Sequence, residues 1–182
     1  SDNGVTFLDQ VDSGFFNSSA MFSDNVDMVK GSLYEGGIRV PCFVTWPRKI
    51  KEGSFSNHIS STQDSYATIL DLFKIKKPNH ITGLSFLPTL LGKKQNKHEY
   101  LYWETNSRQG QQALRMDKWK AIRRNIATGN KEIELFDLTL DSKEKNDVSK
   151  SNLDVISQIE IIFKEARTTP TLKNFYIKGL DF

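Results

Sequence analysis

The chain has 182 residues, of which 25 are Lys or Arg and 22 are Asp or Glu, giving a formal net charge of +3. These charges are interspersed, so there is no basic field of the kind nucleic-acid binding requires, and nucleic acid is not expected as a partner. No apolar run reaches the roughly 18–20 residues that span a bilayer, no signal-peptide pattern occurs, and the lone Cys42 excludes an internal disulfide.

In chain order, Ser1-Asp2-Asn3-Gly4 is a turn signal with no strand before it. Residues 5–29 hold Phe7, Leu8, Phe15, Phe16, Met21 and Phe22 without helical or strand period and read as a long ordered loop. Next comes the turn around Gly36-Gly37, where paired glycines permit positive φ or a close backbone approach. Ile38, Val40 and Cys42-Phe43-Val44 then predict a strand over about 38–46, with Cys42 as a small inert apolar residue within it. Lys30, Glu35 and Arg39 gather within ten residues of the bend, more charge than a structural turn needs. A lysine there offers a point charge with three donors to an oxygen of a tetrahedral anion. The structural reading of the same residues is a local Glu35–Arg39 pair.

Ser61 or Thr62 can cap a helix with Asp64 near its N-terminus and Ala67, Ile69, Leu70, Leu72 and Phe73 as its apolar face, ending before Pro78. The polar stretch from Lys93 to Lys97 reads as a linker, so a boundary falls near 95. Four strand-like runs follow, at 100–103, 112–115, 119–123 and 132–136, with turns at 116–118 and 128–130, and they predict an antiparallel sheet. Tyr100, Tyr102 and Trp103 suit its core. Ser151-Asn152-Leu153-Asp154 fits a capping box, and Val155, Ile156, Ile159, Ile162, Phe163 and Ala166 form a helical stripe that should cover one sheet face. The loop 104–111 is rich in donors, whereas His58, His80 and His98 lack metal-ligand spacing and suit surface or packing roles.

The string Lys30-Gly31-Ser32-x-Tyr34-Glu35-Gly36-Gly37-x-Arg39-Val40-Pro41, with Trp46-Pro47 after it, closely resembles the signature segment of the type I sulfatases. Asp2-Asn3-Gly4, Asp64 to Leu70, Ala113 to Lys120, Glu134 to Leu138 and Asn146-Asp147 follow that family in order, and only about 171–182 falls outside the resemblance. The resemblance implies that Lys30 contacts the sulfate as the catalytic and substrate-binding lysine, while Glu35, Gly36, Gly37 and Arg39 shape the pocket floor. It implies that Asp2 and Asn3 bind Ca2+, whose roughly six to eight oxygens are completed by ligands outside this chain. It also brings Arg108 and Gln109 of the 104–111 loop to the pocket rim as substrate-binding residues.

The family nucleophile, a formylglycine made within Cys/Ser-x-Pro-x-Arg, is expected in a missing N-terminal part, because Cys42 is followed by Phe43-Val44-Thr45 and no other segment fits. Gly14 to Ser19 resembles one bacterial branch, which often has a histidine soon after Asp-Asn-Gly where this chain has Val5-Thr6.

The implied fold class is α/β with an alkaline-phosphatase-like superfold. Residues 1–95 would be the end of the catalytic domain, and 96–182 a small α+β subdomain of four antiparallel strands plus a C-terminal helix. The implied function is part of a sulfuric ester hydrolase acting on a sulfated carbohydrate or aryl sulfate, partnered by the remainder of the catalytic domain and inactive as this chain alone. The resemblance is compatible with a periplasmic or secreted setting, while the residues themselves leave the compartment open. The alternatives are a non-catalytic module binding anionic sugars and a related phosphoesterase, which would need a zinc-type histidine and aspartate cluster.

Overall fold

A computed structural model describes residues 2–4 and 29–181, so the loop expected at 5–29, with Gly14 to Ser19, lies outside the described residues except for Val29. The chain forms two compact units, one of residues 3–40 with 100–182 and the other of 41–99. The second unit ends at Glu99, and the segment from Asn3 to Val40 groups with the sheet. The reason is packing: Leu33 and Tyr34 are buried against Ala113, Ile122, Phe136 and Leu138, which joins the Lys30 turn to the sheet.

The sheet is a meander of β1 (Leu101–Thr105), β2 (Gln111–Met116), β3 (Trp119–Arg124) and β4 (Glu134–Asp137), antiparallel throughout in the order 1-2-3-4. Its strands fall where the apolar runs predicted them. The β2–β3 hairpin turns through Asp117-Lys118, with Asp117 at φ 48°, the left-handed conformation that tight hairpins require. Alternation gives the sheet two working faces. Leu114, Ala121 and Leu135 point to one side, where they meet Ile133, Ile159 and Phe163, and Ala113, Ile122 and Phe136 point to the other.

The first face is covered by a helix at Leu153–Glu165 (α4 in chain order), which buries Ile159 and Phe163. Each such side chain contributes about 1.5–3 kcal/mol on burial. The capping box does not form. The Asn152 side-chain amide instead donates to the Val148 carbonyl at 2.8 Å, closing the turn that precedes the helix.

The expected strand at 38–46 is also absent. Residues Glu35–Ile38 form a single helical turn, α1, and the chain beyond it pairs with no strand among the described residues. A strand exists only through its ladder bonds, so an apolar run without a neighbour stays irregular. Cys42 is accordingly exposed rather than buried, and Phe43 is 92% exposed. Nor do the paired glycines supply positive φ, which is found at Gly31 (φ 88°). Gly37 is required for close approach: a Cβ there would lie 2.3 Å from the Ser32 carbonyl oxygen and 2.8 Å from that of Val29.

In the 41–99 unit, α2 spans Gln63–Leu72 and α3 spans Leu87–Leu90. Thr62 stands at the N-cap of α2 without a side-chain cap bond. Asp64 does the work there, accepting from the Ser61 and Leu84 N–H groups at 2.7 Å each and meeting His98 Nε2 at 2.9 Å. His98 thus has a packing role.

Candidate functional site

The Lys30 turn is held by the loop between β1 and β2. Ser32 N–H closes the turn on the Val29 carbonyl at 2.9 Å. The Gly31 carbonyl accepts from Ser107 Oγ and Gln111 Nε2, both at 3.2 Å, while Gln111 Oε1 accepts from Leu33 N–H at 3.3 Å. Arg108 Nη2 donates to the Lys30 carbonyl at 3.4 Å. Four hydrogen bonds between segments more than 75 residues apart therefore hold the turn, in which Lys30 itself is exposed.

Three consecutive residues of that loop, Arg108 (φ 50°), Gln109 (φ 64°) and Gly110 (φ 82°), are left-handed. For the two non-glycine residues this conformation costs on the order of 1–3 kcal/mol each, and such strain clusters at ligand clamps. The tail beyond residue 168 helps to impose it. Asn106 Nδ2 donates to the Asn174 carbonyl at 2.8 Å, Ile177 lies where a Cβ on Gly110 would sit, and Arg167 bonds Asp181 at 2.7 Å and Glu104 at 3.0 Å.

Beside this loop is a cleft of about 280 Å³ lined by Tyr34, Arg108, Gln109, Gln111, Arg124 and Asn125. The guanidinium of Arg124 lies 5.5 Å from the Tyr34 ring centre and pairs with Glu134, which also accepts from the Tyr34 hydroxyl. Burial, followed by the Glu134 hydrogen bond, drives the Tyr34 hydroxyl far above its usual pKa, so Tyr34 is a neutral wall rather than an acid. Two arginines and three amide side chains line one opening, an arrangement suited to the oxygens of an anionic, hydroxyl-rich ligand.

Below the turn, Glu35 is buried and paired with Lys120 Nζ at 2.9 Å, and Arg39 and Arg115 lie 3.6 Å and 3.8 Å from its other oxygen. The local Glu35–Arg39 pair therefore exists but is the outer member of a larger cluster. Glu144, fully buried, accepts from the Glu35 N–H at 2.6 Å and lies 3.6 Å from Lys120 Nζ. Lys120 and the two flanking arginines hold the Glu35 carboxyl below its ordinary pKa against the opposing effect of burial, whereas burial pushes Glu144 up to about 7.

Asp2 is exposed and Asn3 half-buried, and Gly4 N–H donates to the Gly37 carbonyl at 2.8 Å, which docks that strand of chain on the glycine turn. Among the described residues no cluster of three His, Cys, Asp or Glu could hold a metal by itself.

Sequence reasoning missed Gln111 as a clamp and Arg124, Asn125, Lys120 and Glu144 altogether. Lys120 was detectable, since it shares a strand face with Ile122 and so points inward. Glu144, in a polar run, carried no signal.

Residues 27–168 match the family described as N-sulphoglucosamine sulphohydrolase, C-terminal. The N-acetylgalactosamine-6-O-sulfatase of Bacteroides thetaiotaomicron is 30% identical over 152 residues, a match covering 76% of this chain and 29% of that protein. The N-acetylgalactosamine-6-sulfatase of Mus musculus is 30% identical, covering 59% of this chain and 20% of that protein. Among solved structures, one concerned with the metabolism of multiple glycosaminoglycans by Bacteroides thetaiotaomicron superposes with a TM-score of 0.72 at 26% identity, covering 91% of this chain and 37% of that one. Ps i-CgsB in complex with k-i-k-neocarrahexaose gives a TM-score of 0.66 at 30% identity, covering 76% of this chain and 31% of that one. The chain thus spans less than a third of the curated relatives' length.

Proposed function

Because this chain belongs to the sulfatases, matching their C-terminal portion, we propose that it forms one wall of a site that hydrolyses sulfate esters of carbohydrates. The observation that supports the reading is the clamp of the β1–β2 loop on the Lys30 turn, in which Arg108, a wall of the polar cleft, donates to the Lys30 carbonyl. Lys30 meets the sulfate oxygens as a charge-assisted donor, and Arg108 and Gln109 hold the sugar bearing it. Glu35, Gly36, Gly37 and Arg39 form the floor that keeps Lys30 in place. Similarity to proteins named for N-acetylgalactosamine-6-sulfate and for glycosaminoglycan metabolism supports a sulfated amino sugar as the substrate class.

Asp2 and Asn3 offer hard oxygen donors of the kind Ca2+ takes, and together they supply about three of its roughly six to eight oxygens, so they fit as part of a shell completed elsewhere. When bound, the ion would neutralise charge on the sulfate. The nucleophile, a formylglycine by family, would come from outside these 182 residues, none of which fits its motif.

Titration of the chain with a 6-O-sulfated N-acetylgalactosamine oligosaccharide, followed by amide chemical shifts, tests the wall directly. Shifts at Lys30, Arg108 and Gln109 that are lost in Lys30→Ala and Arg108→Ala are expected. Shifts that persist unchanged in both variants would overturn the assignment.

A further inference from the structure

A second cleft opens from the opposite face of the sheet, at the same corner where β3 leaves toward β4. Its volume is about 330 Å³ and its wall includes Arg123, Lys131, Lys164, Glu160, Ile126 and Leu180. Arg123 and Arg124 are neighbours on β3, so strand alternation sends one to each face. Arg124 belongs to the cleft beside Lys30 and Arg123 to this one.

Three cations face a single carboxylate here. The Arg123 guanidinium is fixed from several sides: its Nε donates to the Lys131 carbonyl at 3.2 Å, its Nη1 to Gln112 Oε1 at 3.3 Å, and it lies 5.2 Å from the Phe163 ring centre. Its remaining edge reaches Glu160 at 3.9 Å, a loose contact that leaves that carboxylate half-exposed. Lys131 and Lys164 have no ion-pair partner among the described residues. The loop bearing Lys131 is also rigid, because Asn130 donates to the Arg124 carbonyl at 2.8 Å and accepts from Glu132 N–H at 3.1 Å. Lys164 lies in the last turn of α4, where a cation also favours the helix dipole, but that role does not require it to line a cavity. Leu180 comes from the tail beyond residue 168, outside the part matching the family.

We infer that this cleft is a second binding site for an anionic sugar, one that holds a sulfo group between Lys131 and Lys164 and lays the sugar's apolar face on Ile126 and Leu180. Strand β3, the loop before β4 and the last turn of α4 carry the charges, Ile126 and Leu180 add apolar surface, and the volume lies within the roughly 300–1,000 Å³ range of ligand pockets. The ligand class rests on the sulfated-sugar reading above; the existence of the site does not. Two clefts on opposite faces of one sheet would let a polymeric substrate be held away from the point of cleavage, which raises its effective concentration there.

The test is calorimetric binding to the chain of a sulfated N-acetylgalactosamine oligosaccharide, its desulfated counterpart and sodium sulfate. Lys131→Ala/Lys164→Ala should weaken binding of the sulfated oligosaccharide about tenfold or more. The control Lys49→Ala/Lys51→Ala, which removes two exposed lysines elsewhere, should not. Weak binding of both the desulfated sugar and sodium sulfate is expected, since each lacks half of the recognition. Unchanged affinity in the double variant, or an equal loss in the control, overturns the site. Equal affinity for sodium sulfate reduces it to an adventitious ion only and also overturns it. Arg108→Ala separates the two readings: binding that it abolishes while the double lysine variant leaves it intact removes this cleft and keeps the one beside Lys30.

Discussion

Replacing Lys120 by Met should destabilise the chain severely and in a pH-dependent way. Lys120 Nζ is fully buried between Glu35, at 2.9 Å, and Glu144, at 3.6 Å. Methionine keeps most of the volume of the side chain but removes the charge. Glu35 retains Arg39 and Arg115, whereas among the described residues Glu144 keeps only the Glu35 N–H. Removing one partner of a buried ion pair costs about 3–5 kcal/mol, a large part of the roughly 5–15 kcal/mol that holds a domain together.

The pH dependence follows from the two carboxyls. Glu144 is raised from 4.5 to about 7 in the folded state, so folding binds a proton there and its contribution is fully present below pH 4.5 and lost as pH rises through about 7. Glu35 is lowered, so its contribution is present above pH 4.5 and lost as pH falls below that value. Lys120 depresses both. Without it, Glu144 climbs further and stays protonated to higher pH when folded, so the loss in the variant should be greater at pH 8 than at pH 5.5. Urea unfolding monitored by tryptophan fluorescence at the two pH values measures it. Adding Glu144→Gln should restore most of the loss and flatten the pH difference. A loss below about 1 kcal/mol, or one independent of pH, would refute a charge-paired cluster.

The other predictions concern the turn and the loop. Lys30→Ala should change stability by less than about 0.5 kcal/mol, yet lower turnover about 10²–10³-fold in a longer sulfatase carrying this chain. Equal turnover would remove Lys30 from the site. The chain alone should not turn over an aryl sulfate with calcium, and sustained hydrolysis lost on Lys30→Ala would contradict that. Gly37→Ala should cost about 1–3 kcal/mol, because the new methyl would meet the Ser32 carbonyl oxygen at 2.3 Å; a melting temperature within error of wild type would deny the close approach. Ile177→Ala should cost about 2–5 kcal/mol and speed amide exchange at Gly110, whereas unchanged exchange would mean that the tail does not support the loop.

What the sequence determined by itself was whatever depends on local pattern. The β strands and α4 follow from alternation and helical spacing around Leu114, Ile122, Ile159 and Phe163, because a period of two or of 3.6 places apolar groups on one face whatever lies beyond. The string from Lys30 to Pro41 was legible as a charged glycine turn and, by resemblance, as a sulfatase segment. Tertiary structure alone decided the rest. Val40 to Val44 has strand composition, but a strand needs a partner ladder, and composition does not say whether one is present. Gly36-Gly37 was open to positive φ or to a close backbone approach, and only the packed structure shows that it is the approach, at Gly37. Lys120, Glu144 and Arg124 act through residues 10 to 109 positions away. Local spacing carries no record of such distances, because burial and the resulting pairing of charges arise only when the sheet folds beneath the turn.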